Sequence, residues 1–310
     1  MVKRLKRLSE GRMMWVSVMT IFVVYVTVLF LFEDFDRKSF EPLDQVNGWH
    51  LLVFSLVVLL LLGWLLHHYA VRMDERITRQ QQEKEARMRR ELTQNISHEL
   101  KTPVASILGY TDTLLENPDI APQMRDQFIA RTNAQAHRLS ALLQDLSTLN
   151  KMDYAPEMLS RQPVDVSSLV ADIVQESELT LEARKMTLKN NLPEGITIVG
   201  NEQLLYGIFR NLIDNSINYS GIGTAIELSA VRQPDGWHFT FCDNGIGVPT
   251  EHLPRLFERF YRVDKGRSRS MGGTGLGLAI VKNAVIQHGG QIRASSSVGQ
   301  GLRFDFNLCS

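Results

Sequence analysis

Cysteine is scarce in this chain, and neither sign of charge is in excess. The only cysteines among the 310 residues are Cys242 and Cys309, which argues against a disulfide framework or a cysteine-rich metal site. Their place in the distal half is consistent with a reducing compartment for that half. The 34 basic and 34 acidic residues cancel. No overall field therefore attracts nucleic acid, and we predict no direct nucleic acid binding.

Long apolar runs are confined to two places near the amino terminus. Residues 13–32, MMWVSVMTIFVVYVTVLFLF, carry no charge and are long enough to cross a bilayer core of about 30 Å as a helix. A second run, LLVFSLVVLLLLGWLL, predicts a span over residues 48–69. Three tryptophans and a tyrosine lie near the segment ends, where an aromatic belt would place them. A cleaved signal peptide is the alternative for the first run, but no small-residue cleavage site follows it.

The charges that flank these runs predict their orientation. Basic residues dominate residues 1–12 and residues 70–91, whereas the loop at residues 33–47 carries five acidic residues against two basic ones. The positive-inside rule then places both termini in the cytoplasm and the loop outside. That loop is too short to fold as a ligand-binding domain, because chains below about 40 residues rarely bury enough core unaided.

The linker at residues 70–91 is rich in Glu, Arg, Lys and Gln and has no proline or glycine. This composition predicts a helix that continues out of the membrane. Its apolar positions are sparse, so a solvated helix and a two-stranded coiled coil remain equally open.

The sequence NISHELKTPVASI follows the linker and contains an unusual histidine. Leu92, Ile96 and Leu100 repeat every four residues and form one apolar stripe. His98 is two residues from Ile96 and from Leu100, which is about 200° around the helix from each. We therefore predict that His98 faces solvent. An exposed histidine is by itself an ordinary surface residue, and its neighbours must decide whether it has a function.

Two neighbours of His98 are informative. Thr102 lies one turn further along the same helix face. Pro103 cannot donate a hydrogen bond to the carbonyl of Glu99, so we expect the helix to bend or loosen there.

A second helix is predicted after the turn ENPDIAP at residues 116–122. Six of its residues follow an alternating spacing of three and four residues: Thr132, Gln135, Leu139, Leu142, Leu146 and Leu149. Two such helices joined by a short loop make a helical hairpin, which we assign to residues 92–153. One hairpin buries only one side of each helix, so we predict a homodimer that completes a four-helix bundle.

A separate domain is predicted at residues 163–310. Helices are expected at residues 164–185, 201–219 and 274–288, and strands at residues 186–192, 196–200, 224–232, 237–245, 291–297 and 302–308. The segments at residues 224–232 and 237–245 alternate polar and apolar residues, as the strands of an antiparallel pair do. The pattern predicts an α+β two-layer sandwich.

This domain contains the glycine-rich segment MGGTGLGLAIVKNAV at residues 271–285. Its glycines, Gly272, Gly273, Gly275 and Gly277, would let backbone approach a ligand, and the following helix offers N–H groups suited to phosphate. It is not a Walker loop, because no Lys-Ser or Lys-Thr follows the spaced glycines.

Three polar clusters accompany the glycines. NLIDNSINYS places Asn211, Asn215 and Asn218 on one helix face, and their carbonyl oxygens suit a magnesium ion that phosphates also bind. DNGIGVP ends a strand with Asp243, whose carboxylate could accept a hydrogen bond from the exocyclic amine of adenine and would repel the carbonyl of guanine. LFERFYR supplies arginines suited to phosphate.

These motifs resemble those of the bacterial sensor histidine kinases. SHELKTP, NLIDNSINY, DNGIG, LFERFYR and GGTGLGLAI stand in that family's order and spacing, and the resemblance covers about residues 88–308. The resemblance implies ATP and Mg²⁺ as cofactors, a homodimer, and a cognate response regulator as partner. Together with the two apolar runs and their flanking charges, it predicts a multi-pass protein of the bacterial cytoplasmic (inner) membrane, with residues 1–12 and the carboxyl terminus in the cytoplasm.

The resemblance further implies roles for single residues. His98 would accept the γ-phosphoryl group of ATP on a ring nitrogen, with Glu99 as the base, and Thr102 would position water when the regulator is dephosphorylated. Asn215 would hold magnesium with Asn211 assisting, and Asp243 would recognise adenine. The remaining predicted nucleotide contacts are Asn218, Tyr219, Gly245, Gly247, Arg259, Arg262, Gly273, Thr274, Gly275, Leu276 and Gly277.

The sequence departs from the family's pattern at two positions. Asn218 stands where a lysine often precedes the tyrosine, which puts a phosphate contact there in doubt. Ser216 stands where alanine is usual, and we expect no consequence from that exchange.

Two other functions compete with this one. The ATP-binding fold also resembles that of gyrase and the heat-shock chaperone ATPases, which hydrolyse ATP with a glutamate four residues before the magnesium asparagine. Here that position is Asn211, which cannot act as a base, so transfer to an internal nucleophile is favoured. A membrane-anchored pseudokinase that signals by helix movement alone is the non-enzymatic alternative.

Overall fold

A computed structural model describes Val23, Val24, Val26 and residues 48–155, 159–264 and 273–309. The three valines are helical, but the rest of the predicted span at residues 13–32 and the loop at residues 33–47 lie outside the described residues. The chain divides into two compact units, Met1–Arg90 and Glu91–Ser310, and each is described by itself.

In the first unit the described structure is almost entirely helical. Helix α1 spans Gly48–Glu116 and therefore includes the predicted helical linker. Within the described part of the chain, Ser55–Glu83 is the one segment long and apolar enough to cross a membrane, with a mean hydropathy of 1.6. Most of its large apolar side chains are exposed, including Leu59 and Leu66. A long apolar helix whose side chains are mostly exposed among the described residues is compatible with a lipid-facing segment.

The second unit begins with the predicted helical hairpin. Helix α1 ends at Glu116 and helix α2 spans Pro122–Tyr154, with proline in the first turn, where its missing N–H costs nothing. Helix α1 is continuous through Pro103. Leu142 and Leu149 of the predicted stripe are buried, whereas His98 is exposed, as its position opposite the stripe of α1 predicts.

The remainder of the second unit is a sheet with helices packed on one face. Strand β1 spans Gln162–Asp165, helix α3 Val166–Ala183, β2 Thr187–Asn191, β3 Thr197–Gly200, helix α4 Glu202–Tyr219, β4 Ala225–Gln233 and β5 Gly236–Asp243; a 3₁₀ helix spans Thr250–Arg255, helix α5 Gly277–Gln287, β6 Ile292–Ser296 and β7 Leu302–Cys309. The main sheet has the order β2-β4-β5-β7-β6. The two-layer α+β sandwich is thus confirmed.

The predicted starts of two helices are wrong, and two strand pairings were not predicted. The segment at residues 162–165 is a strand, and α3 begins only at Val166. Asp165 caps this helix by accepting a hydrogen bond from the Ser168 N–H at 3.1 Å, which fixes the helix start. Strands β4 and β5 form the predicted antiparallel pair. The antiparallel β1–β3 pair and the parallel β2–β4 pair were not predicted. Helix α5 begins at Gly277, three residues later than predicted.

The core lies between the main sheet and helices α3, α4 and α5. The apolar residues of α4 recur on one helical face and are fully or almost fully buried: Leu204, Leu205, Ile208, Phe209, Leu212, Ile213 and Ile217. Phe209 meets Phe239 of β5 at a centroid distance of 5.5 Å, and Phe239 stacks on Phe306 of β7 at 5.2 Å. These aromatic contacts fix α4 against the sheet, and the polar face of α4 is left to line a cavity.

His288 follows α5 and is buried among polar backbone groups. Its Nε2 accepts a hydrogen bond from the Asn201 N–H at 3.1 Å, and its Nδ1 lies 2.7 Å from the Ala284 carbonyl oxygen. The acceptor role of Nε2 places the proton on Nδ1, so the ring is neutral. Burial lowers the pKa of His288, the hydrogen bond to Ala284 opposes this, and the charge of Arg161 lowers the pKa further.

We expect the protein to lose stability as pH falls below about 6.5, in part through His288. The folded-state pKa lies below the unfolded one, so the stabilisation is complete above the unfolded pKa and is lost as pH falls toward the folded pKa. The slope from one such group is at most about 1.4 kcal/mol per pH unit. Thermal unfolding of the purified protein in nanodiscs at pH 8 and pH 5.5 measures this loss. His288→Gln, which lacks the imidazole ring, should show a smaller difference in stability between the two pH values. An unchanged difference in the variant would contradict the assignment.

Candidate active site

A cavity of about 480 Å³ lies beside α4, the carboxyl end of β5 and the start of α5. This volume falls in the range of roughly 300–1,000 Å³ that small-molecule sites occupy. Its lining residues are Asn211, Asp214, Asn215, Asn218, Tyr219, Ser220, Asp243, Ile246, Gly247, Val248, Pro249, Leu256, Tyr261, Arg262, Val263, Asp264, Gly273, Thr274, Gly275, Gly277, Leu278, Val298 and Leu302. Apolar walls with a few polar groups suit a flat heterocycle that carries a polar extension.

Asp243 is the buried carboxylate of this cavity and is 8% exposed. Its Oδ1 accepts hydrogen bonds from the Gly245 N–H at 3.0 Å and from the Leu302 N–H at 3.4 Å. Its Oδ2 accepts the Ser216 hydroxyl at 2.8 Å. These donors hold the carboxylate rigidly at the cavity wall, where it can accept a further hydrogen bond from a ligand.

The segment after Asp243 must pass very close to the end of α4. A side chain at Gly245 would overlap the backbone and side chain of Ser220, so only glycine fits there. Gly245 itself does not line the cavity. It allows Ile246 and Gly247 to form one wall.

The three predicted asparagines line the cavity together, as their spacing on α4 requires. Asn211 also donates from Nδ2 to the Gly207 carbonyl at 2.7 Å, which leaves its Oδ1 available. Within the described residues there is no group of three or more His, Cys, Asp or Glu that could hold a metal ion. The donor set fits magnesium only as an ion bound mainly by phosphate oxygens and water, with one or two amide oxygens from α4.

Most of the predicted nucleotide contacts come together at this cavity. Those that line it are Asn211, Asn215, Asn218, Tyr219, Asp243, Gly247, Arg262, Gly273, Thr274, Gly275 and Gly277. Leu276 is fully buried in the core, and Arg259 lies outside the cavity. Gly272 falls outside the described residues. The predicted catalytic residues His98, Glu99 and Thr102 are on α1, where Thr102 Oγ1 donates to the His98 carbonyl at 3.3 Å.

The rim of the cavity is joined to the hairpin through Arg262. This side chain is 7% exposed, lines the cavity, and donates from Nη2 to Oε2 of Glu99 at 3.0 Å. Arg138 of α2 lies 3.6 Å from the same carboxylate oxygen. The residue next to His98 is therefore in direct contact with the cavity wall.

Two further carboxylates of α2 bind residues near the cavity. Asp145 Oδ2 accepts the Thr274 hydroxyl at 2.9 Å. Asp153 binds Arg259 through both oxygens, at 2.8 and 2.7 Å, so the guanidinium predicted for phosphate is engaged with the hairpin. Burial raises the pKa of Asp145, and the hydrogen bond from Thr274 opposes this rise. The contact between the half-buried Asp145 and its one neutral donor, Thr274, is therefore weaker than the ion pair of Asp153 with Arg259.

Sequence reasoning missed the residues that act by tertiary contact. Asp145 and Asp153 bind predicted site residues from outside every predicted motif, and Ser216, although it lies within NLIDNSINYS, was expected to have no consequence. Asp214 also lines the cavity, and burial raises its pKa although Arg210 pairs with it at 3.0 Å. The one sequence feature that could have indicated the Ser216 contact is the serine itself, at a position where alanine is usual in the family.

Comparison with known proteins yields two matched domains. Residues 88–155 match the His Kinase A (phospho-acceptor) domain, and residues 200–309 match the histidine kinase-, DNA gyrase B- and HSP90-like ATPase domain. The fold and the site thus define a phosphoacceptor hairpin joined to an ATPase-type nucleotide-binding domain.

Individual relatives name the family. The chain is 36% identical over 230 residues to the sensor-like histidine kinase SenX3 of Mycolicibacterium smegmatis, covering 73% of this chain, and 35% identical over 277 residues to the phosphate regulon sensor protein PhoR of Pseudomonas aeruginosa, covering 88%. It spans 60% of the length of each. The fold is shared with the Acinetobacter baumannii histidine kinase AdeS, at 23% identity and a TM-score of 0.56, over 68% of this chain and 97% of that one. The chain belongs to the sensor histidine kinases of two-component systems.

Proposed function

We propose that the protein is a sensor kinase that phosphorylates His98 with ATP and passes the phosphoryl group to an aspartate of a response regulator. One observation carries the proposal. Arg262 lines the nucleotide-sized cavity and also binds Glu99, the residue adjacent to the exposed His98. A cavity for a nucleotide and an accessible nucleophile thereby belong to one compact unit.

The proposed nucleotide contacts follow from the cavity's lining. Asp243 accepts the exocyclic amine of adenine, and the apolar wall residues pack on the faces of the base. Asn215, assisted by Asn211, holds magnesium, which when bound neutralises charge on the phosphates. The remaining contacts are assigned to Asn218, Tyr219, Gly247, Arg262, Gly273, Thr274, Gly275 and Gly277, with Gly245 and Leu276 shaping the wall.

In the proposed transfer, a ring nitrogen of His98 attacks the γ-phosphorus while the bond to the β,γ-bridging oxygen breaks. A P–N bond forms, ADP leaves, and Glu99 takes the ring proton. In the arrangement described, the Glu99 carboxylate binds Arg262 and Arg138. Its action as a base therefore requires it to exchange these partners, just as phosphate binding by Arg259 requires release from Asp153.

We also propose an arrangement for the whole protein. Two spans at residues 13–32 and 48–69 anchor the protein in the cytoplasmic membrane with both termini inside, and residues 70–91 connect them to the hairpin at 92–153 and the catalytic domain at 163–310. Ser55–Glu83 supports the second span. Two hairpins form the dimeric four-helix bundle, and Thr102 positions water when the regulator is dephosphorylated.

The histidine assignment is tested by labelling the purified protein in nanodiscs with γ-labelled ATP and Mg²⁺. We expect an acid-labile, alkali-stable label that is abolished in His98→Gln. His137→Gln is the matched control, since His137 is an exposed histidine on the other helix of the same hairpin, and it should retain the label. Absence of label in the wild type, or its retention in His98→Gln, would refute the proposal.

A further inference from the structure

Ser216 makes a tertiary contact that the sequence does not predict. It lies in the last turn and a half of α4 and is 1% exposed, and Asp243, at the end of β5, is 8% exposed. The Ser216 hydroxyl donates to Oδ2 of Asp243 at 2.8 Å. Both side chains are largely withdrawn from bulk water, so little water competes for the hydrogen bond between them.

The hydrogen bonds of Asp243 leave one defined place for a ligand. An ionised carboxylate has about four acceptor sites, two on each oxygen. The Gly245 and Leu302 N–H groups occupy Oδ1, and Ser216 occupies one site on Oδ2. The remaining site on Oδ2 is the one that a ligand in the cavity can use.

Buried serines in helices commonly donate to their own helix, and two others in this domain do. Ser177 of α3 donates to the Ile173 carbonyl at 2.7 Å, and Ser220, the C-cap residue of α4, donates to the Ser216 carbonyl at 2.6 Å. Ser216 instead directs its single donor across to the sheet, at the carboxylate of the cavity. The contact spans two elements and holds the carboxylate plane relative to α4.

We propose that Ser216 is a positioning residue for recognition of the base. It fixes Asp243 so that the free acceptor of Oδ2 points at the exocyclic amine of adenine, and it thereby contributes to ATP affinity and to discrimination against purines without that amine. The inference rests on the proposed function, in which the cavity binds ATP. It also replaces the expectation that serine at this position has no consequence.

Removal of the Ser216 hydroxyl should weaken the recognition of the base and leave the contacts to the phosphates unchanged. Without the Ser216 hydroxyl the Asp243 carboxylate keeps the Gly245 and Leu302 N–H donors but loses the one side-chain donor that the described residues supply, so the remaining acceptor site on Oδ2 is no longer held in position. We expect Ser216→Ala to weaken ATP binding about 10-fold, the usual scale for one hydrogen bond to a charged group. The autophosphorylation rate at saturating ATP should stay unchanged, because the altered contact lies at the base.

The test compares ATP with purine riboside triphosphate, which lacks only the exocyclic amine. Dissociation constants are measured for the full-length protein in nanodiscs, in the wild type, in Ser216→Ala and in the control Ser177→Ala, which loses a buried hydroxyl outside the cavity. Ser216→Ala should lose affinity for ATP but change less than about 2-fold for the analogue. Ser177→Ala should change neither constant.

The outcomes separate this inference from the function on which it rests. Equal losses for both nucleotides, or no loss for either, would overturn the positioning role while the wild type still prefers ATP. A wild type that binds both nucleotides equally would instead refute recognition of the amine by Asp243, and with it the inference. Thermal unfolding without nucleotide verifies that Ser216→Ala is folded, and Ser216→Gly, which also lacks the hydroxyl, should repeat the selective loss.

Discussion

Asp243→Asn is expected to lower the affinity for ATP by about 100-fold or more. The backbone N–H groups of Gly245 and Leu302 require an acceptor, so the amide oxygen takes the place of Oδ1. The amide NH₂ group then replaces Oδ2 and faces the cavity, where it meets the exocyclic amine as donor against donor. Ser216 can rotate its hydroxyl and accept, so the fold should tolerate the change.

The same variant should change the preference among bases. Inosine triphosphate carries a carbonyl in place of the amine, and a carbonyl can accept from the new amide. Calorimetric titration of both nucleotides checks this, with Asp235→Asn in the exposed β4–β5 turn as the control. Unaltered ATP affinity in Asp243→Asn would refute the assignment of Asp243 to the base.

Gly301→Ala is expected to destabilise the catalytic domain by about 3 kcal/mol or more and to abolish ATP binding. Gly301 has a φ of +82°, and a Cβ there would overlap the carbonyl of Asp243. The variant therefore adds backbone strain and a clash at the strand that presents the carboxylate. Leu302, the next residue, donates one of the hydrogen bonds that hold Asp243.

Gly299→Ala is a matched control for this variant. Gly299 has nearly the same backbone conformation, with a φ of +79°, but a Cβ there would meet nothing within 4 Å. It should cost only the strain, about 1–2 kcal/mol, and should keep ATP binding. Hydrogen exchange of β5 and β7 by mass spectrometry measures both variants, and similar effects would show that strain alone governs this turn.

The contacts between the hairpin and the cavity rim give the proposed reaction a physical requirement. Glu99, Asp145 and Asp153 hold Arg262, Thr274 and Arg259, respectively. The Arg259–Asp153 pair is partly exposed, and such pairs contribute little net stability, so a bound phosphate can compete for Arg259. The Arg262–Glu99 pair is largely buried, so separating it is costly unless Arg262 gains a new acceptor, which a bound phosphate supplies.

Local periodicity explains how much of the fold could be predicted. The burial of Leu142 and Leu149 in α2 and the exposure of His98 follow from the helical repeat, and the hairpin turn follows from the turn-forming residues of ENPDIAP. The alternation in β4, β5 and β7 follows from the two-residue repeat of strands. Periodicity carries no information about partners, so the β1–β3 pair and the parallel β2–β4 pair were missed.

The sequence by itself determined which residue types can bind a nucleotide: three asparagines on one helix face, a carboxylate at a strand end and a glycine-rich segment. Their order along the chain also identified the family. Only the tertiary structure decided that Ser216 binds Asp243 and that Arg262 binds Glu99. Both contacts join residues far apart in the chain, and helix and strand propensities act over a few residues, so packing alone selects such partners.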